Sequence, residues 1–229
     1  ISNDIDKYAV LTHKKNIDSN TILGDINDDS VYEKIVSEAI KAKEKHPELP
    51  LFVLGGPPCQ GFSTANTRRG ADDMRNWLFK SYVRIVSAIQ PAGFVFENVK
   101  GILNLEKGMF FSMIKKSLKE CVDDIKVNKI SAAAFGIPQR RDRVVIIGGN
   151  KKITNGFHMN EISSVPSPGQ LLLLPDVVSS EDAIGDLPII KPGEDGSNLE
   201  YRYPPRNSYQ KLMRGIISID EYLASYSIT

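Results

Sequence analysis

Apolar residues follow two alternating patterns along the chain up to about Asn150. Short apolar runs bounded by turn residues predict buried strands, and they lie at Thr21–Ile26, Leu51–Leu54, Gly93–Glu97, Ile125–Ser131 and Val144–Gly148. Apolar residues at helical spacing predict amphipathic helices, and they cover about Val31–Lys45, Trp77–Gln90 and Lys107–Cys121. The opening segment, Ile1–Asn16, has the pattern of a strand end followed by a helix. This alternation predicts an α/β fold, with a mostly parallel sheet and helices on both faces.

The pattern changes beyond Asn150. The elements predicted there are a loop over Ile153–Pro175, a short helix over Ser180–Leu187, a stretch rich in glycine, proline and charge over Lys191–Asn207, and a helical stretch over Tyr209–Arg214. We therefore predict an α/β domain over residues 1–150 and an irregular arm over residues 151–229.

Composition narrows the class of protein. The 229 residues have a net charge of +1, so the chain as a whole is not a general polyanion binder, and any contact with nucleic acid must come from local clusters. No run approaches the roughly 20 apolar residues of a membrane span. Two cysteines are too few for a disulfide framework, which fits a reducing cytoplasm, or a nucleus in a eukaryote. The three histidines have no metal-ligand spacing, so we expect no metal site.

Cys59 occupies a distinctive position. It follows the predicted Leu51–Leu54 strand after two glycines and the stiffening pair Pro57-Pro58, so it lies on a rigid loop at the carboxyl end of a strand. Ligands of open α/β sheets bind at that edge. A thiol so placed is a candidate nucleophile, although a buried and inert thiol is the alternative.

Two further groups point to the same edge. The Gly93–Glu97 strand delivers Glu97 and then Asn98, and the cluster Arg140–Arg143 immediately precedes the last predicted strand. A thiol, a carboxylic acid and several guanidiniums suit chemistry on an electron-poor ring. The thiolate can add to a conjugated carbon, the acid can protonate or hydrogen-bond a ring nitrogen, and arginines can hold an anionic group or a ring carbonyl.

Three motifs in this order resemble those of the cytosine-C5 DNA methyltransferase family. They are GPPCQGFS over residues 56–63, ENV over residues 97–99 and QRRDRV over residues 139–144. The loop RRGADDMR resembles the family's catalytic loop, and SEDAIGDLP and SYQKLMRG resemble the segment before its target-recognition region. The resemblance covers nearly the whole chain and implies a Rossmann-like sheet that uses S-adenosylmethionine. Residues 1–150 would then form the catalytic methyltransferase domain, without its first strand.

The resemblance also implies catalytic roles. Cys59 would attack C6 of a flipped-out cytosine in double-stranded DNA, and Glu97 would contact N3 and the exocyclic amine and protonate the ring. C5 would then take the methyl group of S-adenosylmethionine. Arg141 and Arg143 would hold the cytosine carbonyl and the catalytic geometry. A modification methylase of a restriction-modification system fits these features.

Other positions follow from the same motifs. Residues that would support the site are Pro57, Asn98 and Gln139. Residues that would contact DNA are Gln60 and Ser63, beside the extruded base, and the loop arginines Arg68, Arg69 and Arg75.

The resemblance places the cofactor at the ends of the first three strands. Residues implied to bind it are Asp4 at the ribose, Asp25 and Ile26 at the adenine, and Ile5, Pro58 and Leu78 along the same pocket. Many members have an aromatic residue where this chain has Ile5. From the residues alone, Asp4 could equally be a helix N-cap.

Some family features are missing from this sequence. A Phe-x-Gly-x-Gly turn does not precede Asp4, and the target-recognition region does not follow Thr229. We therefore expect that the sequence is part of a longer polypeptide, or that a second chain supplies the missing segments. Two rival functions stay open: methylation of tRNA, and a non-catalytic recognition or regulatory subunit.

Overall fold

The computed structural model describes residues 1–17, 19–58, 78–156 and 178–224. The strands in these ranges are β1 (Ser2–Asp4), β2 (Thr21–Leu23), β3 (Phe52–Gly55), β4 (Gly93–Val99), β5 (Asp124–Ser131) and β6 (Asp142–Gly149). The α-helices are α1 (Lys7–Asn16), α2 (Asp29–Lys45), α3 (Leu78–Ile89), α4 (Met109–Lys119), α5 (Lys151–Gly156), α6 (Ser180–Ile184), α7 (Ser208–Met213) and α8 (Ile219–Ala224). The α/β class predicted from the sequence is confirmed.

The strands form two sheets. β1 and β2 pair in parallel, and the second sheet has the order β3-β4-β6-β5. β3 runs parallel to β4, whereas β6 runs antiparallel to β4. The expectation of a mostly parallel sheet is therefore wrong for β6. The connection from β5 to β6, residues 132–141, contains only the 3-10 helix Ala132–Phe135, which is too short for the crossover that a parallel return requires.

Helix α3 lies between two hydrophobic clusters. Its Tyr82 and Val86 pack with Phe94 and Phe96 of β4, in a cluster that also takes in the apolar face of α4. Its Ile85 and Ile89 pack with α2 and β2 in the second cluster, whose members are Ile22, Ile35, Ala39, Ile85 and Ile89. The helical spacing of these apolar residues lets one helix serve two cores.

Local capping sets several helix ends. The carboxylate of Asp6 accepts hydrogen bonds from the backbone N–H groups of Tyr8 and Ala9 at the start of α1. The cap of α1 is therefore Asp6, so the alternative role considered for Asp4 is wrong. A capping box formed by Ser179 and Asp182 starts α6.

Two helices differ from the sequence-based expectation. α5 begins where a loop was predicted, because the carboxamide oxygen of Asn150 accepts from the N–H of Ile153 and starts a helical turn. The rest of that predicted loop, from residue 157, lies outside the described residues. α8 was not predicted, although Ser218 and Glu221 form reciprocal side-chain to backbone hydrogen bonds at its start. That spacing is a capping-box signature, which is visible in the sequence.

The chain divides into two compact units. The first comprises the described residues of Ile1–Lys129 and Arg143–His158, and the second those of Ile130–Asp142 and Met159–Thr229. In the second unit, Asp186 and Arg214 form an ion pair that joins the segment after α6 to the end of α7. The division into functional domains at residue 150 stays a prediction. None of the helices in the described parts of the chain is long and apolar enough to cross a membrane.

Packing across β4 and β6 generates a prediction about stability. A Cβ on Gly148 of β6 would overlap the ring of Phe94, which is fully buried. We expect Gly148→Ala to lower the free energy of unfolding by about 1–3 kcal/mol, the usual cost of overpacking a core. The measurement is urea denaturation followed by circular dichroism.

Gly156→Ala is the matched control, because a Cβ there meets no heavy atom of the described residues within 4 Å beyond its chain neighbours and the backbone of its own helix. Its free energy of unfolding should change by no more than about 0.5 kcal/mol. Equal unfolding free energies for the two variants would contradict the observed contact between β4 and β6.

Candidate functional site

The carboxyl ends of β3 and β4 lie side by side. The two strands are parallel, with Gly55 in register with Phe96. β3 leads directly into Gly56, Pro57 and Pro58, and β4 continues into Glu97 and Asn98. The structure therefore brings the segment that precedes Cys59 next to two of the sequence-predicted site residues.

Asn98 holds this segment through a hydrogen bond. Its side chain is 4% exposed, and its amide nitrogen donates to the carbonyl oxygen of Pro57 at 2.9 Å. The carboxamide oxygen accepts from the backbone N–H of Val99, also at 2.9 Å. Because a buried carbonyl without a partner is costly, this contact fixes the path of the chain just before Cys59.

Glu97 pairs with Arg143 on the neighbouring strand β6. The guanidinium Nε lies 2.6 Å from Oε1 of Glu97, and the two side chains are 18% and 40% exposed respectively. In the antiparallel ladder Glu97 is in register with Val145, so Arg143 is its diagonal neighbour on the same face. The arginine orients the carboxylate while a substantial part of the acid stays accessible.

Gly56 lies against the same carboxylate. A Cβ built on Gly56 would be 2.9 Å from Oε2 of Glu97, closer than real Cβ contacts allow. The absence of a side chain therefore leaves room for the second carboxylate oxygen, the one that Arg143 Nε does not bind. Pro57 is partly buried and Pro58 is exposed.

Several predicted site residues lie outside the described residues, which resume at Leu78. These are Cys59, Gln60, Ser63, Arg68, Arg69 and Arg75. Their roles stay predictions. Gln139, Arg140 and Arg141 are exposed and belong to the second unit, where the carbonyl of Arg141 accepts from the N–H of Ala132.

The parallel pairing of β1 and β2 places Asp4 and the turn at Asp25 at one edge of their sheet. Asp4 is exposed, and its carboxylate accepts from the backbone N–H of Asp6 at 2.8 Å. Ile5, beside it, is 68% exposed. An acid and an exposed apolar side chain at a strand end can bind the hydroxyls and the flat ring of a nucleoside.

A hydrogen bond joins the Asp25 turn to the start of α3. The carboxylate of Asp25 accepts from the N–H of Asn27, and the side-chain oxygen of Asn27 accepts from the hydroxyl of Ser81 at 2.7 Å. Leu78 is the first residue of α3, and Ser81 lies three residues further along the same helix. Ile26 is partly buried and packs against the second hydrophobic cluster.

Cys121 contrasts with the predicted nucleophile. Its thiol is partly buried, donates to the carbonyl of Ser117 at 3.4 Å and packs against the first cluster. Burial raises the pKa of the Cys121 thiol above its usual value, which disfavours the reactive thiolate. Within the described ranges, no group of three or more His, Cys, Asp or Glu side chains is arranged to hold a metal ion.

Sequence reasoning missed the contributions of Gly56 and Tyr82. Tyr82 occupies an apolar position of the α3 pattern and therefore looks like an ordinary core residue. Its hydroxyl, however, donates to main-chain carbonyls of both β3 and β4. A tyrosine within an apolar helical face is the signal that could have identified it, because a buried hydroxyl needs a partner.

The family model and the relatives that match this chain are named as methylases or methyltransferases. The family model for C-5 cytosine-specific DNA methylase matches residues 1–213. Type II methyltransferase M.DdeI of Desulfomicrobium norvegicum is 36% identical over 165 residues, 71% of this chain and 38% of that protein. Type II methyltransferase M.AgeI of Thalassovita gelatinovora is 30% identical over 235 residues, 93% of this chain and 52% of that protein.

A solved structure that is similar to this chain is also named as a methyltransferase. A DNA modification methyltransferase encoded within a prophage of E. coli superposes with a TM-score of 0.56 at 31% identity, over 82% of this chain and 48% of that one. The chain therefore spans between 38% and 52% of the length of these relatives.

The contact between Asn98 and Pro57 generates a prediction with an internal control. Asn98→Ala would leave the Pro57 carbonyl without its donor, so we expect the free energy of unfolding to fall by about 1–3 kcal/mol. Asn128, on β5, has a buried amide nitrogen with no hydrogen-bond partner among the described residues. Asn128→Ala should therefore cost less than about 1 kcal/mol, since it removes an unsatisfied group.

Urea denaturation of both variants provides the measurement. A loss for Asn128→Ala equal to or larger than the loss for Asn98→Ala would show that the Pro57 contact contributes nothing specific to stability.

Proposed function

This chain belongs to the C-5 cytosine-specific DNA methylase family, and we propose from this that its protein transfers a methyl group from S-adenosylmethionine to C5 of cytosine in double-stranded DNA. The observation that carries the proposal is the geometry at the ends of β3 and β4. The segment leading to Cys59 is bound by Asn98, directly beside an oriented Glu97. A nucleophile and an acid at one strand edge are the two groups that this chemistry requires.

The proposed reaction has three steps: addition to C6, methyl transfer to C5 and elimination. The Cys59 thiolate forms a bond to C6 of a cytosine extruded from the duplex, while Glu97 donates a proton or a hydrogen bond to N3. Electron density thereby moves to C5, which takes the methyl group from the sulfonium of S-adenosylmethionine and releases S-adenosylhomocysteine. Loss of the C5 proton to a base then expels the thiolate, N3 returns its proton to Glu97, and the aromatic ring is restored.

Arg143 orients Glu97 for this role. Because its Nε lies against Oε1, the base would bind at Oε2, which lies over the backbone of Gly56. A carboxylate that is already held by an ion pair loses little further freedom when a base binds. Arg141 would hold the cytosine carbonyl, and Pro57 and Gln139 would support the site.

The methyl donor would bind at the ends of β1, β2 and β3. Asp4 would accept the ribose hydroxyls, and Asp25 the adenine amine, with Ile26 beside it. Ile5, Pro58 and Leu78 would give the apolar lining. The hydrogen bond from Ser81 to Asn27 supports this assignment, because it joins the Asp25 turn to the helix that begins with Leu78.

The DNA would meet the chain through the segment after Cys59. Gln60 and Ser63 would contact the extruded base and its neighbours, and Arg68, Arg69 and Arg75 would contact backbone phosphates. The similarity to proteins named Type II methyltransferases supports a modification methylase of a restriction-modification system. This chain spans at most 52% of the length of these two relatives.

The proposed function makes one prediction about the nucleophile, Cys59. Duplex DNA with 5-fluorocytosine at the target position should form a stable covalent complex with the whole protein that contains this sequence, because fluorine cannot leave C5 as a proton. Cys59→Ser should abolish the complex, measured as a band of retarded mobility under denaturing conditions. Cys121→Ser is the matched control and should give the wild-type yield, because the Cys121 thiol is structural. A covalent complex with Cys59→Ser would refute the assignment, and adducts on tRNA but not on duplex DNA would favour the rival substrate.

The second prediction concerns the acid. Glu97→Gln should lower the methyl-transfer rate by roughly 10²–10⁴-fold, the usual contribution of general acid catalysis, with little change in DNA affinity. Its amide can accept a hydrogen bond from Arg143 but cannot donate a proton to N3. Glu120→Gln removes the same charge from an exposed position and should match the wild type. A Glu97→Gln rate within about threefold of the wild type would mean that Glu97 is structural.

A further inference from the structure

Tyr82 contacts both strands that carry the site. It lies on α3 with 4% of its surface exposed. Its hydroxyl points to the carbonyl oxygen of Val95 at 2.9 Å and to that of Val53 at 3.2 Å. Val95 precedes Glu97 by two residues on β4, and Val53 precedes Gly55 by two residues on β3. One side chain therefore binds the backbone of both strands just before each reaches the site.

The ring of Tyr82 contacts the site from a second direction. A Cβ built on Gly55 would be 2.6 Å from Cε2 of this ring, so the ring lies directly against the Gly55 backbone. Phe96 packs edge-on against it, with ring centroids 5.4 Å apart at 67°, and Phe94 does the same at 6.2 Å and 82°. These contacts fix the ring, so its hydroxyl has one defined position.

Because the Tyr82 hydroxyl is buried, it stays protonated and acts as a hydrogen-bond donor. Desolvation raises the pKa of Tyr82 well above its ordinary value, so the phenol stays protonated. Its single proton is shared between two acceptors on adjacent strands, and the shorter distance favours Val95. A phenylalanine would keep the ring contacts and lose only this link.

We propose that Tyr82 is a positioning residue, which sets the end of β3 relative to the end of β4 and thereby sets the Gly56–Pro58 segment, which leads to Cys59, relative to Glu97. The inference rests on the proposed function. Cys59 and Glu97 act on the same ring, one at C6 and the other at N3, so their relative position decides whether both can act together. Displacement by about 1 Å at such a site costs roughly 10²-fold in rate.

The test is Tyr82→Phe in the whole protein that contains this sequence. We expect the rate of covalent complex formation with 5-fluorocytosine DNA to fall by roughly tenfold, with the dissociation constant for the same duplex unchanged within about twofold. Thr154→Val is the matched control, because it removes another buried hydroxyl. That hydroxyl donates to the carboxylate of Asp124 at 2.5 Å, and neither residue belongs to the proposed site.

A double-mutant cycle separates positioning from stability. If Tyr82 acts through the placement of Glu97, Tyr82→Phe should slow methyl transfer by a much smaller factor in the Glu97→Gln background. A purely structural effect would multiply with that of Glu97→Gln instead. Gly55→Ala perturbs the same contact from the strand side and should reproduce the kinetic pattern, should Tyr82→Phe not fold.

The outcomes are distinct. Trapping by the wild type, with the same rate in Tyr82→Phe, would overturn the inference and leave the proposed function standing. Equal slowing in Tyr82→Phe and Thr154→Val would overturn it as well, because a loss of stability would then explain both. Absence of any trapping by the wild type would overturn the proposed function and this inference together.

Discussion

The register of β4 between β3 and β6 is the constraint on which the site depends. Along this strand Phe94, Phe96 and Asn98 are buried, while Val95 and Glu97 between them are partly exposed. One face therefore supplies the core and the hydrogen bond to Pro57, and the other supplies the acid that meets Arg143. A slip of one residue would exchange the two faces, burying the carboxylate and losing both contacts. The large buried rings of β4 make such a slip costly, so the core and the site are fixed by the same pairing.

Helix α3 connects β4 to the other elements of the first unit, because it packs in both hydrophobic clusters. Its two apolar faces join the core around β4 to the core around β2, and Ser81 and Arg84 reach Asn27 and Asp29 through hydrogen bonds. The exposed pair between Arg84 and Asp29 contributes little stability of its own. The apolar contacts of Ile85 and Ile89 hold the helix, and the polar contacts define how its first turns face the Asp25 turn. The proposed cofactor end and the proposed catalytic end thus share one rigid element.

Much of this arrangement could be predicted from the sequence, since apolar periodicity reports local structure directly. The strands, the main helices and the shared edge at the carboxyl ends of β3 and β4 all follow from it. Pairing partners do not, because they depend on contacts distant in sequence. The antiparallel insertion of β6 and the selection of Arg143 from a run of arginines are of this kind. The role of Tyr82 could not be predicted for another reason. Its ring fits the apolar pattern of α3, and only the three-dimensional structure shows which carbonyl groups accept from its hydroxyl. Asp6 rather than Asp4 caps α1, because the Asp6 carboxylate accepts from the N–H groups of Tyr8 and Ala9.

Two ion pairs of the chain show how burial separates a structural role from a chemical one. Asp186 and Arg214 are 3% and 12% exposed, and Arg214 also donates to the carbonyl of Tyr203 and lies 3.6 Å above the ring of Tyr201. A buried pair is tolerated only when its remaining groups are bonded in this way, which leaves no site for a substrate. Glu97 and Arg143 are more exposed, and Oε2 of Glu97 lies over the backbone of Gly56. The same pairing of acid and guanidinium therefore joins the segment after α6 to the end of α7 in one unit and, in the other, orients the acid to which the proposed function assigns the base.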